Sequence, residues 1–420
     1  METRQLEAGI AQTTAPNGLT VLTEAMPGVR SAAIGIWVRS ASAHEPRPQM
    51  GAAHMIEHLV FKGTVRRTAR QLAVELEARG GSLDAYTSRD HTNFQAHVLD
   101  ADLPRAVDVL TDLVRRPLLR ESDLELERNV VLEEINMVDD TPDDLVFDLH
   151  ARALYPEHPY GYSILGTRES VSSLTAGELR ARHGRGYYPG NVVVAAAGHL
   201  DHDQLLGLLE HEGWLEPAAA AGQPAIGPAP ARRGVEQRHS RDTAQTHIVF
   251  GTDTFPVRDP RRLTLSLITN VFGGGMSSRL FQRVREELGL AYAVYAFQQL
   301  YQSAGFVGTY VGTQPATADR AVEAIRAEYA LLAREGLSAA EIADGKQQLK
   351  GQIMLGLESP GSRMHRLASV TLARDRYRTM DELLAEVDAI TDESVAALTT
   401  EFFAPERQTV VRLGPESGKR

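Results

Sequence analysis

Apolar and polar positions change period several times along the chain, and the changes outline its elements. In NGLTVLTEAM, residues 17–26, and SAAIGIWVRSAS, residues 31–42, apolar residues alternate or run together, as in strands. An apolar helix is predicted around GAAHMIEHLVFKG, residues 51–63. The second half opens in the same way, with QTHIVFGTDTF reading as a strand and RRLTLSLITNVFGG as a helix. Further on, AYTSRDHTNFQAHVL is matched by AYAVYAFQQLYQSAGFVGTYVG, both read as hairpin strands. Each leads into a long helix, DLPRAVDVLTDLVRR and ADRAVEAIRAEYALLAREG. This weak internal duplication predicts an α+β fold of two similar domains, each a largely antiparallel sheet with helices packed on one face. Between them EPAAAAGQPAIGPAPARRG, residues 216–234, has no period and reads as a linker. The predicted domains are therefore residues 1–215 and 235–420.

A chain of 420 residues suits two cores better than one. Its 44 basic against 55 acidic residues leave a net charge of −11, which with no dense Lys/Arg stripe argues against a nucleic-acid partner. The chain contains no cysteine, so disulfides and thiolate metal sites are excluded and any metal must be held by His, Asp or Glu. The opening METRQLEAGIAQ carries early acids and no apolar core, so it reads as neither signal nor transit peptide. No run approaches the roughly 18 apolar residues of a membrane span. A soluble, cytoplasmic protein without membrane partners is the expectation.

The candidate chemistry lies in HMIEH, residues 54–58. On a helix His54 and His58 are about 40° apart and one turn above each other, and Glu57 shares their broad face. Two imidazoles so placed can ligate one ion, and an adjacent carboxylate can reach water on it. The pattern H-x-x-E-H is that of the inverzincins. A catalytic zinc takes three protein ligands, so a third must come from another element. LELERNVVLEEINMVDD, residues 124–140, offers a row of acids. Glu127 and Glu134 are two turns apart and about 20° from eclipsed, whereas Glu133 lies about 120° from Glu127. On geometry alone, a solvated acidic face is the simpler reading of that row.

The wider sequence resembles the pitrilysin and mitochondrial-processing-peptidase family of zinc peptidases. HMIEH followed by Glu134 after 76 positions, then HPYGYSILGT, YYPGNVVVAAAGHL and FGGGMSSRLFQRVREELGLAYAVYA, all occur in family order. The resemblance implies one zinc per chain held by His54, His58 and Glu134, with Glu57 as general base and Glu127 orienting a ligand histidine. It also implies that Asp84, Ala85 and Tyr86 lie on an edge strand to which an extended peptide adds. Asp84 departs from the Asn common in relatives, and an acid there favours basic residues or a free amine. Arg285 and Tyr292 resemble a pair that contacts substrate backbone and supports the transition state. In two-domain relatives that pair serves the zinc of a second, similar chain, which implies a catalytic homodimer closing a chamber around peptides or unfolded segments. A homologous second chain is the variant of that arrangement.

The glycines of FGGGMSS lack the G-K-[ST] of a phosphate loop and the spacing of a dinucleotide fold. His91, His97, His150 and His247 have no ligand-like partner at helical spacing and read as structural. Two rivals to a zinc endopeptidase are a non-catalytic scaffold of the same fold and a zinc lyase resembling S-ribosylhomocysteine lyase. Scaffold members typically lose the motif, which is intact here. The lyase class is half this length and usually needs a cysteine.

Overall fold

The computed structural model describes residues 1–218 and 225–415. The first half of the chain forms strands β1 (Glu2–Glu7), β2 (Ile10–Thr14), β3 (Thr20–Ala25), β4 (Ser31–Val38), β5 (Ser82–Thr87), β6 (Thr92–Leu99) and β7 (Val192–Gly198). Its helices are α1 (Ala52–Val60), α2 (Ala69–Glu77), α3 (Leu103–Arg115), α4 (Glu121–Asp139), α5 (Pro142–Leu154), α6 (Arg168–Ser173), α7 (Ala176–Gly186) and α8 (His202–His211). The second half adds β8 (Glu236–Ser240), β9 (Thr246–Thr254), β10 (Ala291–Leu300), β11 (Gly305–Thr313) and β12 (Thr409–Gly414). Its helices are α9 (Arg262–Gly273), α10 (Ala318–Glu335), α11 (Ala339–Leu355), α12 (Pro360–Leu372), α13 (Met380–Asp388) and α14 (Asp392–Phe402). None of the described helices is long and apolar enough to cross a membrane.

The chain divides into two compact units. The first comprises Met1–Ile135, Ser163–Ala225 and Leu355–Tyr377; the second comprises Asn136–Tyr162, Ile226–Met354 and Arg378–Arg420. In the first, seven strands run in the order β1-β2-β3-β7-β4-β6-β5. β3 and β7 pair in parallel, and the other neighbours pair antiparallel. In the second, five strands run β10-β11-β9-β12-β8, with β12 and β8 parallel.

The α+β reading with two sheets describes this architecture, and two features depart from the layout expected from the pattern. The units are not contiguous halves: α5 belongs to the second unit and α12 to the first. Accordingly each sheet carries a helix on its second face as well. Along β4, Ala32, Ile34, Ile36 and Val38 enter the main core with α1 and α3, while Ala33 and Trp37 face Met364, Leu367 and Leu372 of α12. Both faces of β4 and β7 are therefore buried, which is why their sequences read as apolar runs rather than clean alternation. Met364, Leu367 and Leu372 each contribute roughly 1.5–3 kcal/mol of burial, enough to bind α12 firmly to its sheet. In the second unit, Val146 and Ala153 of α5 meet Val249, Val411 and Leu413 of β9 and β12. The predicted linker includes residues 219–224, which lie outside the described residues; residues 225–233 form neither helix nor strand.

Candidate metal centre

α1 owes its placement to its two edges. Ala52, Met55, Ile56, Leu59 and Val60 follow the i, i+3, i+4, i+7, i+8 rule and all enter the core. His54, Glu57 and His58 form the half-buried flank left over. Gly51 enters the helix at φ +90°, and a Cβ there would sit 2.5 Å from the Leu165 carbonyl oxygen, so only glycine fits. The first N–H groups of the helix are met by Glu45, whose carboxylate accepts from Gly51 N at 2.8 Å and Ala53 N at 2.6 Å. Complete burial pushes the Glu45 carboxyl up to about 7, against the pull of Arg182 and these two N–H donors.

α4 brings the acids. Leu124 and Val131 bury on the core side, and Glu127, lying between them on the same face, is only 5% exposed. A buried carboxylate needs partners. Glu127 has two: His58 Nδ1 at 3.0 Å and Lys62 Nζ at 2.6 Å. The bond to Nδ1 fixes the ring so that His58 Nε2 is the nitrogen turned toward Glu134. His54 Nε2 and His58 Nε2 each lie 3.6 Å from a different oxygen of Glu134. That is beyond hydrogen-bond length. One ligand atom from each of His54, His58 and Glu134 lies within 4.8 Å of the others, and the two rings meet edge-on at 4.6 Å. Glu133 is not part of the group.

The residues fit a zinc ion. Among the described residues, Glu134 Oε2 is buried without a hydrogen-bond partner, as is His54 Nδ1. Burial first, and His58 second, hold the His54 imidazole down at about 4, so it is neutral at physiological pH and its lone pair is available. Two imidazoles and one carboxylate are a donor set of catalytic zinc sites, with a fourth position open. Glu57 stands beside them, its Oε2 accepting the Thr87 hydroxyl at 2.5 Å. Burial raises the Glu57 carboxyl, the Thr87 bond and His58 lower it, and Glu134 and Asp84 raise it again.

The strand read as substrate-facing, β5, is the free edge of its sheet. Leu83 and Ala85 pack on the core side, and Thr87 reaches Glu57 from the same face. Tyr86 points the opposite way, receiving Trp37 Nε1 at 3.4 Å and stacking on His365 of α12. Asp84 is exposed and accepts the neighbouring Ala85 N–H. In the second unit the Arg285 guanidinium lies over the Tyr292 ring, 4.9 Å from its centroid, at the end of a π-helical stretch, Phe281–Glu287. Tyr292 is 77% exposed. His150 Nε2 meets the Thr409 carbonyl and His247 Nδ1 the Tyr310 hydroxyl, while His91 lies against Tyr86 and His97 is exposed.

Three residues of this centre were not singled out from the sequence. Lys62 carried a signal, since it follows His58 by four positions. Thr87 and Glu45 carried none, because their partners are brought to them by tertiary contact.

Residues 20–168 match the family model described as Insulinase (Peptidase family M16), and residues 173–349 match Peptidase M16 inactive domain. An uncharacterized zinc protease of Mycobacterium leprae is 40% identical over 98% of this chain and 93% of its own length. This chain belongs to the M16 peptidase family. An uncharacterized zinc protease of Bacillus subtilis is 36% identical over 94% of the chain and 96% of its own length. Among solved structures, a peptidase M16 inactive domain from Pseudomonas fluorescens superposes with a TM-score of 0.90 at 20% identity, covering 98% of this chain and 99% of that one. A protease from Helicobacter pylori gives 0.88 at 20% identity, covering 97% and 99%. At that identity the two structures bear on the fold alone.

Proposed function

We propose that this chain is a zinc-dependent endopeptidase that cleaves oligopeptides or unfolded segments inside a closed chamber. The observation that carries the reading is the convergence of His54, His58 and Glu134, with Glu57 held beside them by Thr87. The M16 relatives named zinc proteases support it. His54, His58 and Glu134 would hold the ion, which supplies Lewis-acid polarisation of the scissile carbonyl and acidifies water. Glu57 takes a proton from the attacking water and returns it to the leaving amine, a role suited to a carboxylate whose burial has raised its affinity for protons. Glu127 and Lys62 keep the His58 ring fixed. An extended substrate adds to the open edge of β5, which gives affinity through backbone bonds with little demand on sequence. The active form is a homodimer, one zinc per chain, in which Arg285 and Tyr292 of each chain serve the zinc of its partner.

The second reading, a non-catalytic scaffold, is favoured by one observation: the second match is to a domain described as inactive. That match spans residues 173–349 and so contains none of the four residues His54, Glu57, His58 and Glu134. Incubating purified protein with a mixed peptide library, with and without chelator, and reading products by mass spectrometry separates the two. Chelator-sensitive cleavage is the expected result. Zinc-loaded protein that cuts no peptide would leave the scaffold standing.

A further inference from the structure

The loop that joins α1 to α2, residues 61–68, borders a cavity of about 540 Å³. Its charged lining is Lys62, Arg66, Arg67, Arg70 and Arg120 against one acid, Asp123. In a chain of net charge −11, five cations around one opening call for a cause. Internal pairing supplies part of it. Glu127 holds Lys62 at 2.6 Å, Asp108 holds Arg66 at 2.6 Å, and Glu75 and Asp112 hold Arg67 at 2.7 and 3.0 Å. None of those four acids is in the lining, and Glu127 and Asp112 are buried, so the wall presents mainly positive charge. Two of the cations have donors to spare. Arg70 is exposed and forms no hydrogen bond or ion pair among the described residues. Arg120 gives Nε to Asp123 and Nη2 to the Lys62 carbonyl, which leaves its Nη1 unbonded there.

The backbone adds donors at the same place. Thr68 caps α2, its hydroxyl taking the Gln71 N–H, while the N–H groups of Ala69 and Arg70 meet no acceptor among the described residues. A Cβ on Gly63 would lie 3.6 Å from Arg120 Nη2 and 3.8 Å from Ala69 N. Glycine has none, so this spot between a guanidinium and a backbone donor is open to a ligand atom. The nearest acceptor to it, the Arg67 carbonyl at 3.3 Å, is already taken by the Thr64 N–H. Guanidinium forks grouped with free N–H donors suit a compact anion, and a phosphate group offers them more oxygens than a carboxylate does. We propose that this cavity binds a phosphate group, free or carried on a small molecule, through Arg70, Arg120 and the Ala69 N–H. Such a site does not rest on the peptidase reading. Lys62 lines the cavity and also pairs with Glu127, so the occupant lies one side chain from the carboxylate that fixes His58.

The test is a titration of the zinc-loaded full chain with inorganic phosphate at constant ionic strength, read by phosphorus NMR line broadening. Saturable binding is expected. Arg70→Gln should weaken it about tenfold, the scale of one charge-assisted bond. Ala69→Pro is the sharper variant. Proline is favoured at the first position of a helix, and the extended Thr68 backbone, φ −72° and ψ 161°, suits the residue before it. The fold is therefore kept while the N–H donor is lost, and binding should weaken several-fold. Binding that never saturates overturns the proposal. Binding that both variants leave unchanged belongs to the metal centre or elsewhere and also overturns it. Weakening by Arg70→Gln without weakening by Ala69→Pro marks a diffuse cationic surface and overturns the site as described. Glycerol phosphate, titrated in the same way, separates the sources. Tighter binding than the free ion, with the same dependence on both variants, supports an organic phosphate as the occupant; weaker binding supports inorganic phosphate.

Discussion

The two units build corresponding helix pairs and fill them with opposite chemistry. In the first, α1 and α4 meet through His54, His58 and Glu134, whose facing atoms have lone pairs and no donor between them. In the second, α9 and α11 occupy the same places in the order of elements, and their facing groups are neutral. Gln352 Nε2 donates to Asn270 Oδ1 at 3.3 Å. An amide pair can close such a bond by itself, so among the described residues this surface has no set of converging metal-ligating groups. The scaffold by itself does not assemble such a group. Three side chains on two helices set the first unit apart, and the second unit carries the half-buried Arg285 and the exposed Tyr292 instead.

The largest effect expected is on metal content. His54→Ala or His58→Ala should remove nearly all bound zinc, as measured by elemental analysis, and so should Glu134→Ala, while Glu133→Ala keeps it. Loss with Glu133→Ala and retention with Glu134→Ala would reverse the assignment within the first unit. Next comes Glu57→Gln, which preserves shape but cannot take the proton. Zinc should remain while peptide turnover falls by roughly 10² to 10⁴. Turnover that survives points to a contaminant or a different mechanism.

Glu127→Gln should weaken zinc affinity by roughly 10- to 100-fold, read by competition with a chromophoric chelator. Lys62→Met should act in the same direction and less, because Lys62 touches Glu127 rather than a ligand. A Lys62 effect larger than that of Glu127 would show that the lysine works by another route.

Reassortment separates the contributions of the two units. Glu57→Gln and Arg285→Ala/Tyr292→Phe proteins should each be nearly inactive alone. Dissociated and recombined, about half the dimers are hybrid, each with one of two sites whole, so about a quarter of wild-type activity should return under two-fold symmetry. No recovery, with hybrids confirmed by differently tagged chains, would place the pair's action within one chain.

The smallest effect concerns a charge pair that serves only stability in the second unit. Arg279, first, then the Ser338 N–H and hydroxyl, hold Glu341 down at about 2 against its burial. A depressed carboxylate adds stability above its unfolded value, near 4.5, and that contribution is lost as pH falls toward 2. The difference in Tm between wild type and Glu341→Gln should therefore be present at pH 6 and shrink by pH 3. A constant difference would mean that the pair's charge is not what matters.

His54, Glu57 and His58 were legible in the chain itself, because a helix places i, i+3 and i+4 on one flank whatever surrounds it. The alternating and unbroken apolar runs made the strands and the duplicated order of elements legible for the same kind of reason, local periodicity. Glu134 was singled out over Glu133 by family resemblance, since α4 carries acids on several sides and only packing decides which side turns to α1. The pairing of Thr87 with Glu57, of Lys62 with Glu127, and of Glu45 with the first turn of α1 joins separate elements, and no local pattern encodes those distances. Nor does a pattern say which sheet an amphipathic helix will cover. The apolar faces of α5 and α12 were present in the sequence, but hydrophobic burial has no direction, and only the tertiary structure assigned each helix to the unit built mainly from the other half of the chain.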